Sequence, residues 1–274
     1  MSTFYPYQAR CPSCRHPFVA ELARGLHITR LPQIRRQLLD GTFQVFTCPA
    51  CKQPTVIEAT VVYTDFERFE YVAVETSASA KWQAALARHK TVFRDCFEHG
   101  PPIAHDMGAK FKRRVVYGFR ALREKLLLWD AGLDDRVVEA VKADLVDGEG
   151  EAQREVVLRL SRVLEGGHLL FAAYRPMVVE PLPEPTEAEQ AEEMAQLTAA
   201  VAAGMSPTVA AALQAAKPPR AGVVALPAPF TFWTATADRY FARAMEPGSI
   251  SRDFPWLQDD WFIDAHDGPS YLYR

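Results

Sequence analysis

Two short motifs constrain this chain more than anything else in it: Cys11-Pro12-Ser13-Cys14 and Cys48-Pro49-Ala50-Cys51. A CxxC pair curls the backbone so that both sulfurs face one point. Two pairs complete a tetrahedron of thiolates around a single metal ion, with Zn–S bonds of about 2.3 Å. Four soft sulfurs leave no open coordination position, so the expected site is structural rather than catalytic. The 33 residues between the pairs exceed what a minimal zinc ribbon uses. Within them RLPQIRRQLLDG reads as a short helix that absorbs the excess, with Pro32 in its first turn and Gly41 as its stop. The expected ligand set is therefore Cys11, Cys14, Cys48 and Cys51, holding one structural Zn2+.

Other chemistries use the same residues. A redox dithiol wants one CxxC at a helix N-terminus, where the thiol pKa falls, not two pairs among strands. A rubredoxin-type iron needs the same four thiolates, and only availability favours zinc over it. Covalent haem attachment needs a histidine after the second cysteine, where Arg15 and Lys52 stand. The fifth cysteine, Cys96, lies beside the apolar stripe of a helix and reads as a core residue.

The pairs sit in β-rich sequence. TFQVF, PTVIEATVVY and RFEYVAVE are dense in β-branched and aromatic residues, and Thr64–Glu67 reads as the turn of a hairpin joining the last two. Residues 78–99 place Trp82, Leu86, Phe93 and Phe97 on one helical stripe that ends at Gly100-Pro101-Pro102. Two more amphipathic helices come next, over 118–129 and 134–145, and REVVLRLSRVLEGGHLLFAAY reads as two strands joined at Glu165-Gly166-Gly167. Residues 176–193 then hold four prolines and six glutamates without a Lys or Arg, the composition of a solvated linker. Ala-rich helices come after it, one opened by the capping box of Thr186 and Glu189 and a second capped at Ser206-Pro207. Beyond 221, GVVAL suggests a strand, TATADRYFARAM a helix, and DFPWLQDDWFIDA an aromatic closing segment that packs on a core.

The fold class expected is α+β: a zinc-ribbon-like antiparallel β module with packed helices, a β-hairpin and a C-terminal strand–helix segment. Its segments are a CPxC module over 1–76, helices plus hairpin over 77–176, linker and Ala-rich helices over 177–220, and the strand–helix segment over 221–274. A core shared by the last with 77–176 is one arrangement.

Partners are bounded by charge and by missing motifs. Residues 1–120 carry 17 Lys and Arg against 10 Asp and Glu, and the rest carries 14 against 24. Such a polarity suits an acidic half facing a basic half of the same protein. Residues 1–54 hold seven Lys and Arg against two acids, with Arg30, Arg35 and Arg36 on or beside the short helix and Phe43 and Phe46 nearby. That supports nucleic-acid binding as an alternative, against an overall charge of −3. No HExxH, Walker A, GxGxxG or GxSxG occurs. His105-Asp106 and the group Asp264, His266 and Asp267 are the remaining polar clusters; the second is the alternative site for an enzyme, and a turn capped by acidic side chains explains it as well. No apolar run approaches the ~18 residues of a membrane span, and the N-terminus lacks a signal-peptide layout. A cytoplasmic protein with reduced thiols is the expectation. Together these readings favour a non-catalytic protein-binding or adaptor module of unassigned process.

CPSC, CPAC, QLLDGTFQVFTCPAC and VVYTDFERFEYVAV resemble the CpXC family, bacterial and archaeal proteins named for two CPxC motifs. YGFRALREKLLLWDAGLDDRVVEAVK is similar to the continuation of longer members, so the resemblance covers about residues 8–145. It implies metal binding and a cytoplasmic bacterial origin, and no activity. One departure concerns the position after each pair, often glycine in zinc knuckles, where Arg15 and Lys52 read as solvated cations.

Overall fold

Alternation of apolar and polar residues builds two antiparallel hairpins, and each carries one cysteine motif at its turn. In the computed structural model, β1 (Thr3–Arg10) pairs with β2 (Pro17–His27), and β3 (Val45–Thr47) pairs with β4 (Pro54–Ala59). The structure describes residues 2–76, 82–148, 156–175, 195, 221–225, 229, 231–258 and 260–261. Between the hairpins runs α1 (Pro32–Asp40), with proline in its first turn and Gly41 in the left-handed conformation at its end. The helix expected between the cysteine pairs is thus in place.

PTVIEATVVY does not form one strand. It breaks at Thr60 into β4 and β5 (Val61–Asp65), which lie in different sheets. β5 forms the expected hairpin with β6 (Glu70–Glu75), and the central sheet runs β1-β2-β5-β6-β7, with β7 spanning Lys112–Tyr117. β2 and β5 pair in parallel, as do β6 and β7, so both connections are crossovers. α4 (Gly118–Asp130) crosses one face of this sheet and, with α1, closes a core of Leu26, Ile34, Leu38, Tyr63, Val72, Val74, Leu122 and Leu126. α2 (Trp82–Phe93) covers the other face. The stripe expected over 78–99 does not continue as one α-helix. Arg94–Glu98 form a π turn closed by His99 N–H to Arg94 O at 2.9 Å, which sets the Phe93 and Phe97 rings 4.6 Å apart over Tyr71 and Phe111. The short α3 (Pro102–Gly108) then leads into β7.

α5 (Asp135–Gly148) is buried on two sides. Val138 and Val141 meet a third sheet, made of β8 (Val157–Val163), β9 (Leu169–Tyr174) and β11 (Thr231–Ala235) in the order β11-β9-β8. Val137 and Ala140 meet Ile250, Phe254 and Leu257, from and just beyond α7 (Pro247–Asp253). α6 (Ala237–Met245) lies beside them, and Thr234 and Ala235 of the expected helix belong to β11 instead.

The tail divides. β10 (Ala221–Ala225) pairs with β4 and completes the sheet that carries the second cysteine loop, whereas β11 pairs with β9. Seven helices and three sheets among the described residues make a mixed α+β protein. The linker and Ala-rich helices expected over 177–220 lie outside the described residues, save Ala195. No helix among the described residues is long and apolar enough to cross a membrane.

Candidate metal centre

Each CPxC sits in a turn of the same design. Cys11 N–H bonds His16 O at 3.0 Å and Arg15 N–H bonds Cys11 O at 2.9 Å; Cys48 N–H bonds Gln53 O and Lys52 N–H bonds Cys48 O, both at 3.0 Å. Arg15 and Lys52 share a left-handed φ of 62°. That conformation explains why glycine suits the position after the pair: a side chain there costs about 1–2 kcal/mol. Both side chains are exposed, and Lys52 Nζ donates to Pro49 O at 2.8 Å. The sequence pattern showed the departure from glycine but not the backbone reason for it.

Gln44 fixes the two turns relative to one another. Its side-chain oxygen accepts the Ala23 amide of β2 at 2.7 Å, and its side-chain nitrogen donates to Ile57 O of β4 at 2.7 Å. Beneath lies a small core of Tyr5, Ala9, Ala20, Leu22, Ile57 and Ala59 shared by both hairpins. On this base the four sulfurs of Cys11, Cys14, Cys48 and Cys51 all come within 4.8 Å of one another. The closest approaches cross between the turns, Cys11 to Cys51 and Cys14 to Cys48, each at 3.6 Å. A tetrahedron with bonds of about 2.3 Å has edges of about 3.8 Å, so the cage has the dimensions that a zinc-sized ion needs. Such a group can hold a metal ion.

Electrostatics point the same way. The Cys14 amide, against the opposing effect of burial and with help from Ser13 N–H, pulls the Cys11 thiol down to about 6. Cys48 is likewise lowered, first by the Cys51 amide and, against burial, by that of Ala50. Cys51 receives the Gln53 amide, yet burial and the crowding sulfurs of Cys14, Cys11 and Cys48 push it up to about 12. Backbone dipoles favour thiolates here, and thiolate repulsion resists the last of them, a conflict that a divalent cation removes. Burial is graded: Cys11 and Cys48 are fully enclosed, Cys51 is half-buried and Cys14 faces solvent.

A four-cysteine cage on two hairpin turns, set on a mixed α+β scaffold, defines a class of protein with paired CPxC knuckles that could hold a metal ion. Residues 9–142 match the family model described as CpXC protein, in agreement with the resemblance that the cysteine motifs carry. No curated protein and no solved structure matches the chain.

The remaining sequence candidates fare differently. Cys96 is exposed, not a core residue, because the π turn rotates it off the stripe that Phe93 and Phe97 occupy. Arg35 and Phe43 are buried and leave the basic face on which they were expected. Arg35 reaches Glu70 at 2.8 Å, Asp130 at 2.5 Å and the Tyr63 hydroxyl, whereas Phe43 packs edge-on against Phe119. His105 and Asp106 are exposed and 4.0 Å apart, and neither belongs to the cysteine cluster. Asp264, His266 and Asp267 lie outside the described residues.

Sequence reasoning missed a second polar constellation, and it is the larger one. Arg114, Asp135, Lys125, Glu139, Lys142, Glu124 and Arg159 form a chain of alternating charge through the interior. Successive contacts run 2.7, 3.4, 2.9, 2.6, 3.0 and 3.5 Å, and Glu124, Lys125, Glu139 and Lys142 are fully buried. Glu124 also accepts the Leu160 amide at 2.6 Å. Nearby, Glu58 of β4 accepts the Phe119 amide at 3.3 Å and caps the positive end of α4. A signal did exist: Glu139 and Lys142, three residues apart, interrupt the apolar face of Val138 and Val141.

Proposed function

We propose that Cys11, Cys14, Cys48 and Cys51 bind one Zn2+ in a closed structural site, and that the chain is a non-catalytic protein-binding module of a thiol-reducing cytoplasm. The observation that carries the metal is the convergence of four sulfurs within 4.8 Å from two hairpin turns of matched geometry. The ion would tie β1–β2 to β3–β4 and so stiffen two sheets at one point. Zinc suits a four-thiolate set without an open position, and that chemistry leaves nothing at the ion to react. Metal analysis by mass spectrometry on untagged protein, with thiol titration before and after denaturation, tests the reading. About one zinc per chain and four thiols protected until unfolding support it. Iron in that stoichiometry would replace zinc, and a metal-free chain with fast-reacting thiols would overturn the site.

Nucleic-acid binding at the metal tip is the second reading. Arg15, His16 and Lys52 are exposed around the cage, and residues 1–20 and 41–57 contain no Asp or Glu. Retention on DNA or RNA that falls steeply with salt supports it, and absence of any shift at low salt ends it.

A further inference from the structure

β7 is the last strand of the central sheet, and among the described residues no strand pairs with its outer edge. Asp260 and Trp261 lie on it instead. The Trp261 carbonyl accepts the Val115 amide at 2.6 Å, and the Asp260 carbonyl accepts from the Arg114 guanidinium at 2.6 Å. The Asp260 carboxylate pairs with Arg136. The Trp261 indole is only 8% exposed. It meets Tyr71 and Phe93 edge-on, at 6.0 and 5.2 Å between ring centres, and Arg113 stands over its face at 5.4 Å. A ring pocket, a cation for the ring face, a cation for the carboxylate and a strand edge for the main chain thus converge on one dipeptide. These are the means by which a sheet edge recognises an extended peptide: main-chain bonds give affinity, and a side-chain pocket gives specificity.

Outside the ring and the two main-chain bonds, the Asp260 side chain is held by an exposed ion pair. Asp260 is 69% exposed and Arg136 36%, a setting in which ion pairs contribute little. Leu257, four residues earlier, packs in a different cluster, against α5.

We propose that the β7 edge with Tyr71, Phe93, Arg113 and Arg136 is a docking site for an acidic–aromatic segment, Asp followed by Trp, of a partner protein. The chain's own Asp260–Trp261 occupies it as an intramolecular ligand that the partner displaces. This gives the protein-binding reading a partner chemistry, and it shares no residue with the cysteine cage.

The test uses the full chain and a fluorescent peptide of sequence LQDDWFID, read by anisotropy. Trp261→Ala, whose site is vacated, binds the peptide at least about tenfold more tightly than the wild type, whose tail competes. The same peptide with alanine for tryptophan loses that binding. Asp260→Ala, which leaves every residue of the docking site intact, loosens the tail and gives intermediate binding. Equal binding by wild type and Trp261→Ala overturns the proposal, as does no binding by either Trp261→Ala or Asp260→Ala up to about 1 mM peptide. A wild-type dimer that Trp261→Ala abolishes assigns the site to a second copy's tail and overturns the partner reading. Peptide failure in variants that keep their metal and their fold removes this site alone and leaves the broader protein-binding reading standing.

Discussion

Two polar clusters among the described residues, the cysteine cage and the buried charge chain, solve opposite problems. At the tip of the two hairpins, four sulfurs with like charge when ionised face one another, and two of them reach solvent. In the interior, seven charged side chains alternate in sign from Arg114 to Arg159, and each finds an opposite partner within 3.5 Å. The four groups of the first cluster all carry the same charge when ionised, a set suited to a cation; the second is balanced by the chain's own side chains. Clustering of ionisable groups therefore does not by itself mark a ligand site, and the balance of charge within the cluster decides.

The comparison breaks most sharply on metal removal. Stripping the cage with a strong chelator, or changing Cys48→Ser, should abolish stoichiometric metal. Zinc coordination contributes about 10–16 kcal/mol in small zinc-finger peptides, and here its loss should loosen the hairpins selectively. Hydrogen exchange is the readout: amides of β1–β4 lose protection, whereas those of α4 and α5 keep theirs. Uniform loss of protection across the chain would mean the two clusters form one cooperative unit.

A smaller but global effect is expected inside. Lys142→Met leaves Glu124 and Glu139 without their shared cation, and breaking a buried pair costs about 3–5 kcal/mol. Urea unfolding should report a loss in that range with metal content unchanged. A loss below about 1 kcal/mol would show that the carboxylates protonate or rearrange without consequence.

The same chain of charges should show in the pH dependence. Asp135 is buried, which alone would raise its pKa, but Lys125 and Arg114 hold it well below the usual aspartate range. A depressed folded pKa contributes stability above the unfolded value of about 3.9, lost as pH falls through the folded one. The stability gap between wild type and Asp135→Asn should be widest near neutrality and narrow below about pH 4. A gap independent of pH would remove charge from the explanation.

The smallest effect sharpens the account of the tip. Arg15→Gly relieves a left-handed residue, but glycine's greater freedom in the unfolded chain offsets about 0.5–1 kcal/mol of the relief, so stability should change by less than about 1 kcal/mol, in the favourable direction or near zero. Metal stoichiometry should be unchanged. Loss of metal in this variant would give the cation a holding role that its exposure does not suggest.

How much was legible depends on the range over which each feature acts. The cysteine pairs announce themselves because the ligand turn is local, four residues closing on themselves, and α1 is bracketed by Pro32 and Gly41 for the same reason. The hairpin of β8 and β9 around Glu165-Gly166-Gly167 is equally local, with Gly166 and Gly167 in left-handed conformations. The division of PTVIEATVVY between two sheets was not legible. Val56, Ile57, Ala59 and Val61 are all buried, and an unbroken apolar run does not say which sheet takes which face.

By itself, then, the sequence determined the clustered cysteines, the helix bracketed by Pro32 and Gly41, the β8–β9 hairpin with its glycine turn and the mixed α+β class. Only the tertiary structure decided that β10 returns to β4, that Arg35 leaves the basic surface for Glu70 and Tyr63, and that Glu124, Lys125, Glu139 and Lys142 neutralise one another out of water. The physical reason is the same in each case. Turns and caps are satisfied within a few residues, whereas a strand edge or a buried charge is satisfied by a partner far away in sequence, and only folding reveals which.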